Sequence, residues 1–245
     1  MNSEDSRLNI EDSASVALVT GGNRGIGKAV CLGLADQGIH TVVAARSLEE
    51  GKKVSRQIAK MGRSSEAVAL DVQSVVTIER VARYLKEKYG KLNIIVNNAG
   101  ILTGDDRKSN FRKLPEEAFR ETVDVNLFGT YRVCQTFLPL IEKAPWGRIV
   151  NVTSAMGNLT DTMTGGYTAY RVSKAAVNAL TANLSAELKS KNILVNCVHP
   201  GWVRTRMGTM VAPLSPRKGA DSIIYAATLP ANGPTGKFIV KRQIQ

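Results

Sequence analysis

The stretch Val16–Val30 reads VALVTGGNRGIGKAV, and its reading decides the fold. Its first five residues, VALVT, are apolar or β-branched and suit a buried strand. Glycines follow at 21, 22, 25 and 27, and GKAVCLGLADQG then carries helical periodicity up to Gly38. A strand that turns tightly into a helix needs glycine wherever a Cβ would block the turn or the helix–strand contact. The new helix presents unpaired backbone N–H groups at its start, and these favour an anion such as a phosphate. The spacing is G-x-x-x-G-x-G, through Gly21, Gly25 and Gly27, not the commoner G-x-G-x-x-G. The mechanical demands are similar, and Asn23, Arg24 and Ile26 lie between the glycines of the turn.

Outward from this turn the chain alternates. HTVVAA reads as a second strand, SLEEGKKVSRQIAKMG as a helix, EAVALDV as a strand and VVTIERVARYLKEKYG as a helix. LNIIVNNAG and GRIVNVTS are further strands, and ILVNCVHPG follows a long alanine-rich helical stretch. Strands that are almost wholly apolar, each followed by an amphipathic helix, require a parallel sheet covered on both faces. Right-handed crossovers then make it an α/β, Rossmann-type doubly wound parallel sheet. With 245 residues, 43% hydrophobic, and no shift in composition, one domain over residues 14–245 is expected.

The opening MNSEDSRLNIEDS is polar and is expected to be a flexible tail over residues 1–13. It lacks the apolar centre of a signal peptide, and no apolar run approaches a membrane span. Three cysteines, far apart and odd in number, fit a reducing cytoplasm. With two histidines and no paired Cys or His spacing, no metal site is expected. The net charge of +12 is spread along helical faces, and aromatics are only 5%, so neither nucleic acid nor membrane is an expected partner.

Chemistry enters at YRVSK, residues 170–174. Tyr170 and Lys174 stand four apart at the front of a helix and therefore share a face. An ammonium beside a phenol favours the phenolate, so Lys174 is expected to lower the Tyr170 pKa. On the second strand, a carboxylate for a ribose hydroxyl is expected about 20 residues beyond the glycines. The sequence there reads AARS, with Arg46 at the strand's end and no acid. An arginine fork suits a 2′-phosphate, and Arg24 in the glycine turn is placed to approach the same group. Together they favour NADP(H) over NAD(H).

Seven motifs in order resemble the short-chain dehydrogenase/reductase family over nearly all of the chain after the tail. They are TGGNRGIG at 20–27, LDV at 70–72, NNAG at 97–100, Asn126 in VDVNLFGTY, Ser154 in NVTSAMG, YRVSK, and HPGWVRT at 199–205. The helices and the GPTGKF ending look most like NADPH-dependent carbonyl-reductase-type members. The resemblance implies Tyr170 as catalytic acid/base, Lys174 as its activator, Ser154 as carbonyl polariser and Asn126 as keeper of a proton-relay water. It places Asp71 and Val72 at the adenine, and brings Asn98, Ala99 and Gly100 close to the cofactor. Pro200, Gly201, Val203 and Thr205 fall on the nicotinamide side, with Tyr170 and Lys174 also touching the cofactor. Tyr167 lacks a lysine at i+4 and reads as a substrate-side or packing residue.

The implied activity is hydride transfer from NADPH to a small aldehyde or ketone, reversible in principle. Alternatives are a 3-oxoacyl-thioester or steroid-type reductase, or a non-catalytic NADP(H)-binding regulator. The separation from Ser154 to Tyr170 is longer than the family's usual spacing, so LTDTMTGG (159–166) is expected to bulge toward substrate. A lid is expected over about residues 204–218, mobile over 206–214 without cofactor, where Met207, Met210 and Val211 offer adaptable apolar surface. Dimer, tetramer and monomer all remain open, as do the physiological substrate and stereochemistry.

Overall fold

A computed structural model describes residues 15–159 and 165–245. The expected tail lies outside the described residues, and so do residues 160–164 of the expected bulge. The chain forms one parallel sheet in the order β3-β2-β1-β4-β5-β6-β7, with an antiparallel β8 at its edge. The first half is β1 (Val16–Thr20), α1 (Gly25–Asp36), β2 (His40–Ala45), α2 (Leu48–Lys60), β3 (Ser65–Ala69), α3 (Val75–Tyr89) and β4 (Ile94–Asn97). Short helices α4 (Gly104–Lys108) and α5 (Glu116–Val123) lead through a π-helical turn (Asp124–Phe128) into α6 (Gly129–Ile141). Then come β5 (Gly147–Val152), α7 (Thr168–Glu187), β6 (Ile193–His199), α8 (Pro216–Ala227), β7 (Phe238–Val240) and β8 (Gln243–Ile244). The expected strand–helix alternation is therefore the observed architecture.

Alternation along each strand sends side chains to two cores. Val16 and Leu18 of β1 pack with Ile95, Phe137 and Ile149 on one face of the sheet. Ala17 and Val19 pack with Leu34, Ile94, Val96 and Ile223 on the other. Because both faces are covered, the strands lack the polar alternation of a half-exposed sheet. Ser47 and Ser74 cap α2 and α3 by accepting the N–H of Glu50 and Thr77, and left-handed Gly90 ends α3. The strand order reverses between β1 and β4, which opens a crevice at the strands' carboxyl ends. Among the described residues, no helix is long and apolar enough to cross a membrane.

Two local features bear on the site. Asn126 lies inside one continuous helical run, within the π turn between α5 and α6. An extra residue per turn of this kind rotates the faces of the two helices relative to each other. The segment expected as a lid, about 204–218, runs into the first turn of α8, which Ser215 caps and Pro216 opens.

Candidate active site

The glycine turn is as tight as its composition demands. Gly21 and Gly25 have φ of 62° and 52°, the left-handed region open to glycine. A Cβ at Gly27 would lie 2.3 Å from the Gly21 carbonyl oxygen, so only glycine lets α1 start against the strand. The Asn98 carboxamide donates to the carbonyls of Thr20 (2.9 Å) and Gly21 (3.2 Å). The Thr20 hydroxyl accepts the backbone N–H groups of Asn98 and Ala99 at 3.0 and 3.1 Å. Thus the end of β4 braces the turn, and Thr20 is a contributor the sequence reading did not single out. Its signal was only its place at the strand's last position.

Across the crevice a Cβ at Gly25 would lie 3.2 Å from the Thr205 methyl. The first strand's turn and the segment after β6 therefore face each other at close range. The Thr205 hydroxyl is engaged in its own turn, accepting the Gly208 N–H at 3.0 Å. Val72 and Val203 are buried, packed against Gly129 and Gly219 respectively, so each offers the crevice backbone rather than side chain. Asp71 is partly exposed, and one carboxylate oxygen accepts the Gln73 N–H at 3.1 Å. Gly201, with φ 83°, turns the chain after Pro200 under the Leu214 side chain. Arg24 and Arg46 are both exposed, one at the N-cap of α1 and one just past β2. Asn23 and Ile26 are partly buried within the turn.

The remaining groups converge where β5 meets the start of α7. Ser154 lies just beyond β5 and caps a 3-10 turn (Ala155–Gly157), accepting the Met156 N–H at 3.2 Å. Tyr170 is buried in the first turn of α7, with its phenol near enough to the Ser154 hydroxyl for Ser154 to favour its ionised form. Lys174, one turn on, places Nζ 5.7 Å from the Tyr170 ring centroid and donates to the Val152 carbonyl at 2.9 Å. Gly157 allows this packing, since a Cβ there would lie 2.6 Å from the Lys174 backbone. In the π turn, Asn126 donates to Ile101 O and Ser173 Oγ, both at 3.0 Å, and accepts the Ile101 N–H at 2.8 Å. Ser173 in turn donates to Tyr170 O at 2.8 Å. Ser173 was visible only as the fourth letter of YRVSK.

The electrostatics correct one expectation. Burial pushes the Tyr170 phenol up to about 12, with the Ser154 hydroxyl opposing it. Burial also pushes the Lys174 ammonium down to about 8. So in the chain as it stands burial of the phenol outweighs whatever favours its ionised form, and the net direction is upward. The Lys174 charge sits over the ring face and spends a proton on Val152, while both groups are stripped of water.

The segment expected as a lid is tethered at several points. Val203 and Leu214 pair as an isolated bridge that closes the loop at its base. Within it the Trp202 indole donates to Gly208 O at 2.8 Å, and Arg107 of α4 donates to Met207 O at 2.6 Å. Met210 and Val211 are exposed.

A family model described as short chain dehydrogenase matches residues 15–213. Carbonyl reductase [NADPH] 1 of Homo sapiens is 33% identical over 275 residues, covering 94% of this chain and 97% of its own. A short-chain dehydrogenase of Penicillium roqueforti, anuI, is 34% identical over 226 residues, covering 87% of this chain and 88% of its own. Among solved structures, salutaridine reductase from Papaver somniferum superposes with a TM-score of 0.80 at 27% identity, covering 91% and 99%. A 3-ketoacyl-ACP reductase from Sinorhizobium meliloti superposes with a TM-score of 0.81 at 30% identity, covering 92% and 96%.

Proposed function

The chain belongs to the short-chain dehydrogenase family, a family of oxidoreductases, and on that premise we propose that it reduces the carbonyl of small aldehydes or ketones with NADPH. The observation that carries this reading is the convergence of buried Ser154, Tyr170 and Lys174 where β5 meets the start of α7, with Lys174 Nζ 5.7 Å from the Tyr170 ring centroid. The similarity to carbonyl reductase [NADPH] 1 supports the choice of cofactor and substrate class.

The crevice fits a dinucleotide on its own geometry. The Gly21–Gly27 turn leaves free the space that Cβ atoms would fill, against a helix N-terminus suited to a pyrophosphate. Asp71 and the Val72 backbone would take the adenine, Arg24 and Arg46 a 2′-phosphate, and the 200–205 segment the nicotinamide side. When bound, NADPH supplies the hydride. The chain's own part is to manage the charge that develops on the carbonyl oxygen. Ser154 donates to that oxygen as its charge grows. Tyr170 then gives its phenolic proton to the oxygen, and the Lys174 ammonium stabilises the phenolate left behind. Burial that holds the phenol protonated suits the reductive direction, in which the protonated form is the reactant.

The relay reading of Asn126 narrows. Both of its N–H groups are spent on Ile101 and Ser173. A Cβ on Gly100 would sit 3.1 Å from Asn126 Oδ1 and 3.6 Å from Lys174 Nζ. Gly100 thus brings bare backbone close to both polar groups, and a side chain there would crowd them.

The test is a carbonyl panel run with NADPH and NADH side by side. NADPH should win by about one to two decades in kcat/KM, because each arginine contact with the 2′-phosphate is worth about 1.5–3 kcal/mol. Arg46→Asp should erase most of that preference. Equal kcat/KM for both cofactors in the wild type would remove the NADP(H) assignment. Tight NADPH binding with no turnover on any carbonyl would leave a non-catalytic regulator. The likeness to a 3-ketoacyl-ACP reductase favours one second reading, so the panel includes a 3-oxoacyl thioester.

A further inference from the structure

Taking Tyr170 as the proton donor, as read above, we propose that Asp106 is a positioning residue for it and that α4 couples that tyrosine to the lid. The starting point is a defect in α7. Its N-cap is Tyr167, left-handed at φ 54° and ψ 38°, with no side-chain capping bond. Good N-caps are short polar residues with extended backbone, and Tyr167 is neither. Its left-handed backbone is also strained for a residue with a side chain.

The cap comes from far away in sequence. Asp106 Oδ1 accepts the Ala169 N–H at 3.0 Å, and Asp106 Oδ2 accepts the Tyr170 N–H at 2.8 Å. These are the second and third N–H groups of α7, which an N-cap side chain would satisfy. Asp106 is 1% exposed, and the Thr103 hydroxyl accepts its own N–H at 3.2 Å. A buried carboxylate needs compensating positive charge, and the N-terminus of α7 supplies it. The backbone of Tyr170 is thus held directly by Asp106 on one side and, at its carbonyl, by Ser173 on the other.

The next residue makes the second connection. Arg107 donates from Nη2 to the Met207 carbonyl at 2.6 Å, near the middle of the lid. Two consecutive side chains of one five-residue helix therefore grip the catalytic helix and the lid. A shift of the lid at Met207 moves Arg107, and Asp106 moves with it. α4 is a strut through which lid position sets the placement of the tyrosine.

The experiment uses the full chain and three variants. NADPH titration by fluorescence counts competent sites, and amide exchange is read at 169–170 and 205–210. In Asp106→Asn, one N–H of the pair faces an NH2 group. We expect kcat per NADPH-binding site to fall about tenfold, KM for NADPH to stay within about twofold, and Ala169 and Tyr170 to exchange about tenfold faster. The alkaline limb of carbonyl reduction should move to lower pH, since losing the anion favours the phenolate. Asp106→Glu should leave that limb in place. Arg107→Met should speed exchange in the lid and also at Ala169 and Tyr170. Unchanged exchange at those two amides in Asp106→Asn overturns the positioning role. So does a loss of rate fully matched by lost NADPH sites, which is the mark of simple unfolding. Faster lid exchange in Arg107→Met with Ala169 and Tyr170 unmoved removes the coupling. A wild-type chain silent on every carbonyl sinks the reductase reading alone, and the strut is then decided by exchange.

Discussion

Tyr170→Phe is expected to cut carbonyl reduction by about 10²–10⁴ in kcat while NADPH affinity changes by less than about threefold. The substitution removes one oxygen from a buried ring and leaves its packing in place. The lost hydroxyl is the one near Ser154, so the alkoxide would form with no proton donor beside it. Stability should barely change or should rise slightly. The phenol is deeply buried, and phenylalanine carries no polar group to desolvate. Tyr167→Phe is the control. Tyr167 lies three residues upstream in the left-handed N-cap position of α7, about two turns from Lys174. Steady-state kinetics with fluorescence titration of NADPH read both variants. Near-normal kcat in Tyr170→Phe, with Tyr167→Phe inactive, would transfer the acid role to Tyr167.

How much of this was legible in the sequence depended on whether the physics is local. The glycine turn was legible because a strand, a tight bend and a helix start are neighbours along the chain. Tyr170 and Lys174 were legible because a helix places i and i+4 on one face. The sheet was legible because buried parallel strands write themselves as short apolar runs between amphipathic helices. Asp106 was not. It is 63 residues from Ala169, in a polar loop where one acid among DDRKSN looks like any other. Asn126 was legible as a residue, but the π turn around it depends on how α5 and α6 settle on the sheet. The pKa directions were illegible for a related reason. Proximity of Tyr170 to Lys174 could be read from spacing, whereas the loss of water around both is a property of the assembled core.

That same loss of water makes Lys174→Met a test in which activity and stability move in opposite directions. Lys174 is 5% exposed, and burial holds its ammonium down at about 8. Its observed polar contact is the bond to Val152 O, a neutral carbonyl that offsets little of the cost of burying a charge. Methionine keeps the length and apolar character of the stem and drops the charge. Turnover should fall about a hundredfold or more, because the phenolate that forms on Tyr170 loses its counter-charge. Folding stability near neutral pH should rise by about 2 kcal/mol, after allowing for the unpaired Val152 carbonyl. The sign with pH follows from the lowered pKa. Below about 8 the lysine is charged both folded and unfolded, so the wild type bears the full burial cost. Between about 8 and the ordinary 10.5 the folded chain sheds the proton first, and the wild type gains on the variant. Tyr170, raised from 10 to about 12, begins to lose its own contribution only above about 10, and it does so in both proteins. Denaturation of wild type and Lys174→Met at about pH 7 and about pH 9.5 reads the difference directly. An advantage for methionine that narrows with rising pH is the expected result. A variant less stable at both values would mean that the ammonium is fully compensated inside the fold, and that its bond to Val152 carries more than its charge costs.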